Sequence, residues 1–433
     1  MEQFIDFFLL REPNTVYVVF GSVLIAYSAA LTGCFLFLRK EALVGDAIAH
    51  SVLPGICIAF LLFHSKHPAV LLIGAILSAW LSIGLLHLIE NKTKLKSDTA
   101  IGLVLSWFFG IGIMLLTYIQ KTGQAGQSGL NKFLFGKASS LVLSDLWVFG
   151  GVSLCVILTI IVLYKPLKII AFDRDFGLGK GLNVGLYEFI LATLAVVSVA
   201  TGIQAVGVVL MAAMLITPAA AARFWTHNLK KMLWLSGFFG AVSGVVGAYI
   251  SYVAPRMPTG PWIVIIISLI AIFSFLFGTK KGFLVKKRNQ LKIKKNILLE
   301  NILKAFYHLG EETGNFRQAY SVDELLNKRF FSRSNLQRGI QKLLKRGYLH
   351  KINSTFIFTP EGHTEGKRIT RLHRLWEMYL TEYVKIAPDH VHDDAEAIEH
   401  IITPEIEAEL VELLNRPEKD PHRVPIPYDK INE

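Results

Sequence analysis

Cysteine is scarce in this chain: three in 433 residues, Cys34, Cys57 and Cys155, each inside an apolar run. They form no pair by spacing and none lies beyond residue 155, which excludes a disulfide framework and a cysteine-type zinc site in the C-terminal part. No Gly-x-x-x-x-Gly-Lys-Ser/Thr phosphate loop occurs, so ATP hydrolysis, if needed, falls to another subunit. The opening Met-Glu-Gln-Phe-Ile-Asp-Phe-Phe lacks a basic n-region, and a cleaved signal peptide is not expected. Charge is also sparse, at 18% of residues, and unevenly placed.

What is abundant is apolar sequence. Hydrophobic residues make up 52% of the chain and the mean hydropathy is +0.46. Runs of about 20 apolar residues, enough to cross a bilayer, follow one another through residue 277. Nine candidate spans are predicted, at about 15–38, 42–63, 69–89, 99–119, 142–164, 186–203, 205–222, 232–254 and 262–277. The sixth and seventh run together, with only Thr201-Gly202-Ile203-Gln204 as a break, so eight to ten spans fit the pattern. With the N-terminus outside, the inner loops hold twelve Lys and Arg and the outer segments six. That bias predicts a cytoplasmic C-terminus, and the basic run Lys280–Lys295 agrees with it.

One span carries an acid and an imidazole. In Ala42-Leu-Val-Gly-Asp46-Ala-Ile-Ala-His50 the two ionisable residues are four apart and share a helix face. Ionisable groups inside a span are costly and tend to mark an ion or proton path. A carboxylate with an imidazole can also ligate a divalent transition metal. The structural alternative is that Asp46 pairs with Arg39 and Lys40 near the cytoplasmic end while His50 bonds to backbone. Pro54 and Gly55, one turn on, loosen the helix.

The longest inner loop, Phe172-Asp173-Arg174-Asp175-Phe176-Gly-Leu-Gly-Lys-Gly181-Leu-Asn-Val184, suits a short solvent-facing helix with a glycine exit. It is either a connector or a docking element for a cytoplasmic motor. The span Gly202–Ala222 is rich in small residues, which permits close helix packing, and its Thr217-Pro218 reads as a kink.

From Asn296 no run is long enough to span. Leu298–Leu309 has helical periodicity. Ser321-Val-Asp-Glu324 is a capping box, a second helix runs from near Ser332 to Gly347, and 348–358 alternates as a hairpin about Asn353-Ser354. That is the order of a winged helix-turn-helix. Two further helices are predicted, at about 361–384 and 391–414. Ser332, Arg333, Asn335, Gln337 and Arg338 form an exposed basic and amide face that can read base edges, although such a face can equally contact protein. His373 with Glu377, and His392 with Glu396, Glu399 and His400, each repeat at three or four residues. Two such helices packed antiparallel would converge three imidazoles and three carboxylates, a donor set suited to manganese, ferrous iron or zinc. A solvated acidic helix with incidental histidines is the alternative.

Two families are resembled. Residues 15–277 are similar to the membrane permeases of zinc-, manganese- and iron-type ABC importers, through Arg39–Gly55, Leu134-Phe-Gly136 and Gly202–Ala222. The resemblance implies a second permease copy, identical or related, a cytoplasmic ATP-binding subunit and an extracytoplasmic metal-binding protein. It also favours docking of that subunit at Asp173, Arg174, Asp175 and Gly181. Residues 297–427 resemble metal-dependent regulators of the diphtheria-toxin-repressor type, through Thr359-Pro-Glu-Gly362, His373–Glu377, His392–His400 and Asp420–Pro427. By that resemblance His373, Glu377 and His392 form one metal cluster and Glu396, Glu399 and His400 another. The first helix of the family supplies further ligands, whereas here the aligned stretch offers Asn301 and Lys304.

The expectation is an all-α polytopic membrane protein of about nine spans, followed by a cytoplasmic winged helix-turn-helix and a helical metal-binding and dimerisation domain. Its segments are 1–278, a basic linker 279–295, 296–362 and 363–433. It would be the permease of an ATP-driven manganese, iron or zinc importer in the bacterial cytoplasmic membrane, with metal as cargo and as a candidate effector of the tail, and DNA as a candidate partner. Rival readings are a membrane-tethered metal-dependent repressor and a proton-coupled secondary metal transporter.

Overall fold

The computed structural model describes residues 6–7, 9, 11–65, 67–121, 141–254, 257–385 and 403–428. The chain divides into two compact units, residues 1–286 and 287–433.

The first unit is helical: α1 (Pro13–Leu38), α2 (Ala42–Phe63), α3 (Pro68–Lys92), α4 (Ser97–Lys121), α5 (Leu143–Val162), α6 (Tyr164–Phe172), α7 (Arg174–Gly179), α8 (Val184–Val206), α9 (Val208–Arg223), α10 (Leu229–Val253) and α11 (Thr259–Phe277). Among the described residues eight of these, α1–α5, α8, α10 and α11, are long and apolar enough to cross a membrane. Of the nine spans outlined, eight thus qualify by length and composition, the lower end of the eight to ten that fit the sequence. The odd one is α9: its 16 residues at 1.5 Å each reach roughly 24 Å, short of a ~30 Å hydrocarbon core. The break also falls elsewhere than expected. Thr201–Gln204 is helical, and the chain interrupts at Gly207, whose φ of 94° is open to glycine and strained for other residues.

α1 and α2 are the most enclosed spans. α1 packs on α5, α8, α9 and α10, and α2 on α3, α4, α8 and α9. Small residues make this possible. Gly55 of α2 and Gly74 of α3 meet backbone to backbone, so that a Cβ on either would overlap the other's carbonyl oxygen. Leu215 of α9 fits between the ends of α1 and α2: its carbonyl lies against Gly33 and its side chain against Gly45. The outer spans expose apolar side chains such as Leu77, Trp107, Trp147 and Ile161, as a lipid-facing surface requires.

The second unit follows the predicted winged order. α12 (Phe283–Thr313) covers much of the basic stretch expected as a linker, and the unit boundary falls in its first turn. Then come α13 (Val322–Lys328), α14 (Arg333–Lys345), the antiparallel strands β1 (Leu349–Ile352) and β2 (Thr355–Phe358), and α15 (Pro360–Glu382). The core joins Leu299, Leu303 and Phe306 to Leu325, Leu336, Ile340 and Leu349. The capping box is formed: Ser321 Oγ accepts from Glu324 N–H, and the Glu324 carboxylate accepts from Ser321 N–H. Thr359 explains the Thr-Pro-Glu-Gly motif. Its hydroxyl accepts from Gly362 N–H at 2.9 Å, capping α15, and donates to the Gly347 carbonyl at 2.7 Å. Of the predicted helix 391–414, residues 391–402 lie outside the described residues. Thr403 is extended and caps α16 (Pro404–Leu413), with Pro404 at its first position.

Candidate functional site

Asp46 and His50 lie one turn apart on α2, with His50 Nε2 3.9 Å from Asp46 Oδ1. The imidazole is mostly buried and rests edge-on against Phe109 of α4, ring centroids 4.8 Å apart. Its Nδ1 is buried with no hydrogen-bond partner among the described residues. The backbone contributes as well. Pro54 has no N–H, so the carbonyl of His50, four residues earlier, loses its usual helical donor. The next turn is braced from α3: Ser78 Oγ donates to the Ser51 carbonyl at 2.6 Å and Ser82 Oγ to Ser51 Oγ at 2.8 Å. The result is a carboxylate, an imidazole nitrogen and a carbonyl on a firmly held helix. These are oxygen and nitrogen donors of the type that first-row divalent cations accept. Spacing found the pair, but not Phe109, which is 59 residues away in sequence.

The loop expected to dock a motor follows α6 and forms α7. Asp173 caps α7, its carboxylate accepting from Phe176 N–H at 2.9 Å. Gly181 takes a φ of 76° and turns the chain toward α8, which Asn183 caps. Phe172, Phe176 and Leu178 are exposed beside Asp175, giving a short helix with apolar side chains set among charges. Arg174 reaches Glu188 of α8, Nη2 to Oε2 at 3.4 Å. Glu188 was not singled out from the sequence. The only signal there was a lone acid at the head of an apolar span.

In the tail, Ser332, Arg333, Asn335, Gln337 and Arg338 are all exposed at the start of α14, and Arg333 pairs with Asp323 at 3.1 Å. His373 and Glu377 are buried on one face of α15 and pair with each other, Nε2 to Oε1 at 3.1 Å. His392, Glu396, Glu399 and His400 lie outside the described residues, as does Leu134-Phe-Gly136. Among the described residues no group of three His, Cys, Asp or Glu side chains is placed to hold a metal ion. The interior of α12 contains Lys304, only 2% exposed. The described donors alone, one imidazole already paired with one carboxylate, do not make a complete ion site. Burial, with the charges of Lys304 and Arg374 next in weight, pushes the His308 imidazole down to about 3.

Residues 12–278 match the ABC 3 transport family. The chain belongs to it. It is the membrane subunit of an ABC transporter, not itself catalytic, and works with an ATP-hydrolysing partner and a binding protein. The Bacillus subtilis manganese transport system membrane protein MntC is 38% identical over 379 residues, 87% of this chain and 86% of that one. The Treponema pallidum zinc transport system membrane protein TroC is 42% identical over 267 residues, 62% of this chain and 90% of that one. Among solved structures, PsaBC from Streptococcus pneumoniae in complex with Fab shares 32% identity at a TM-score of 0.59, covering 66% of this chain and 99% of that chain. Residues 359–428 match the iron dependent repressor, metal binding and dimerisation domain. The permease is thus fused to a helical domain of the diphtheria-toxin-repressor type.

Proposed function

We propose that this permease carries a divalent first-row metal, manganese or zinc, inward across the bacterial cytoplasmic membrane, and that Asp46 and His50 lie on the cation's path. The observation that carries the reading is the pair itself: a carboxylate and an imidazole 3.9 Å apart on one of the most enclosed spans, with a buried imidazole nitrogen that has no hydrogen-bond partner among the described residues. The named cargo of the Bacillus and Treponema relatives supports it. Two permease copies form the pathway, and the ATP-binding subunit docks on α7 through Asp173, Arg174, Asp175 and the Gly181 turn. The tail reports metal status, with His373, Glu377, His392, Glu396, Glu399 and His400 as its ligands and the exposed start of α14 as a DNA-contacting face.

The test is radioactive manganese and zinc uptake by cells that depend on this permease. Asp46→Ala and His50→Ala are expected to abolish uptake while the protein still inserts and assembles. Normal uptake by both variants would remove the pair from the path.

A further inference from the structure

At one end of α8 a single carboxylate is shared by two guanidiniums from different parts of the chain. Glu188 Oε1 accepts from Arg39 Nη2 at 3.3 Å and from Nη1 at 3.4 Å. Its Oε2 lies 3.4 Å from Arg174 Nη2. Arg39 in turn donates from Nε to Glu41 Oε1 at 2.8 Å. The charges alternate along a line: Arg174, Glu188, Arg39, Glu41.

Each member holds a strategic position. Arg174 opens α7, the docking element. Arg39 follows the last residue of α1, and Glu41 stands at the residue before α2, five residues before Asp46. Between them Lys40 takes a φ of 63°, so the α1–α2 corner is a sharp turn rather than a continuous helix. Glu188 therefore touches both the surface a motor would grip and the corner from which the metal-bearing helix starts.

The graded exposure of the chain of charges matters. Arg174 is 65% exposed at its side chain, whereas Glu188 is 24% and Arg39 20% exposed. An ion pair as open to solvent as Arg174–Glu188 adds little to the fold and can break and re-form readily. The inner pair, Glu188–Arg39, is more shielded and holds its geometry more firmly. A loose contact at the motor side and a firmer one at the helix corner suit a relay better than a clamp.

We propose that Glu188 is the positioning residue that transmits movement of α7 to the α1–α2 corner, and so couples ATP hydrolysis to displacement of the Asp46 helix. The two-state element it biases is that corner. The proposal rests on the reading of α7 as the docking surface, and its test separates the two.

The full transporter, with ATP-hydrolysing subunit and binding protein, is reconstituted in liposomes, and manganese uptake and ATP hydrolysis are measured together. Glu188→Gln, which keeps size and loses charge, should retain the ATP-hydrolysing subunit through purification and hydrolyse ATP within about twofold of wild type. Manganese moved per ATP should fall at least tenfold. Glu188→Asp should recover part of that ratio. Because the contacts are in series, the losses in Arg39→Gln, Arg174→Gln and Glu188→Gln should not add when combined. An unchanged manganese-to-ATP ratio in Glu188→Gln, or losses that add, would overturn the proposal. Should Glu188→Gln fail to assemble, Arg39→Gln, which leaves α7 untouched, decides the matter by the same ratio. Failure of the docking reading itself looks different: the Asp173→Arg, Asp175→Arg variant would then keep its ATP-hydrolysing subunit.

Discussion

Gly55 of α2 and Gly74 of α3 press their backbones together with no side chain between them. The contact holds the α2 segment that follows Asp46 and His50 directly against α3, where Ser78 and Ser82 bond the Ser51 turn.

Gly55→Val should therefore be costly. The obstacle it meets is backbone and cannot swing away. Overpacking of this kind costs about 1–3 kcal/mol. The detergent-purified permease should show a lower thermal midpoint than wild type, and metal uptake should fall with it. A variant with unchanged midpoint and uptake would mean that α2 and α3 are free to separate.

Thr359→Ala should loosen the junction between the strands and α15. The hydroxyl both caps α15 and ties Gly347, so its loss is expected to cost about 1–2 kcal/mol. Hydrogen exchange in full-length protein should speed up at 359–366 and at 346–349 together. Faster exchange at 359–366 alone would reduce the residue to a simple cap. Thr359→Ser should stay close to wild type.

Arg374 is buried on α15 and gathers three acceptors: both oxygens of Glu311 at 2.9 and 2.7 Å and the Pro425 carbonyl at 2.6 Å, with Asp420 at 3.6 Å. Arg374→Met should release the 420–428 segment and cost about 3 kcal/mol, because it leaves anions without their cation. Limited proteolysis near residue 420 reads this directly. Equal resistance in variant and wild type would contradict it.

The tail should lose stability in mild acid through His308. Its folded value is about 3 against an ordinary 6.5, so the unfolded chain takes up the proton first. The contribution is fully present above pH 6.5 and is lost as pH falls toward 3, by up to about 1.4 kcal/mol per pH unit from this one group. Lys304→Met removes the largest of the nearby charges acting on the imidazole, so its folded value should rise and the loss should become shallower. Hydrogen exchange of α12 at pH 7, 6 and 5 compares the two proteins. Identical slopes would deny Lys304 that influence.

How much of this was legible in the sequence depended on the range of the interaction. Ala42–Phe63 was readable to the residue because apolar length and flanking charge are local signals. The Ser321–Glu324 box and the Gly347 exit were readable because caps are written within four residues. Gly207 was missed in favour of Thr201–Gln204 because polar residues suggest a break, while the backbone angle that makes one is invisible in composition. Thr403 was overrun because helical periodicity hides a cap inside an acidic stretch, even with proline next to it. Glu188 could not be assigned a role: its partner Arg39 is 149 residues away, and only folding brings them together.

Leu215 has one more consequence. It is seated in the notch between Gly33 and Gly45, on either side of the α1–α2 corner, with its carbonyl against one and its side chain against the other. One leucine thus makes two helices share a single keyway. The seat is as wide as two missing methyl groups allow, and a methyl at Gly33 would meet a carbonyl that cannot turn aside, whereas one at Gly45 would meet the flexible end of a side chain. The two walls of the notch are therefore unequally tolerant of change, although the same residue fills both.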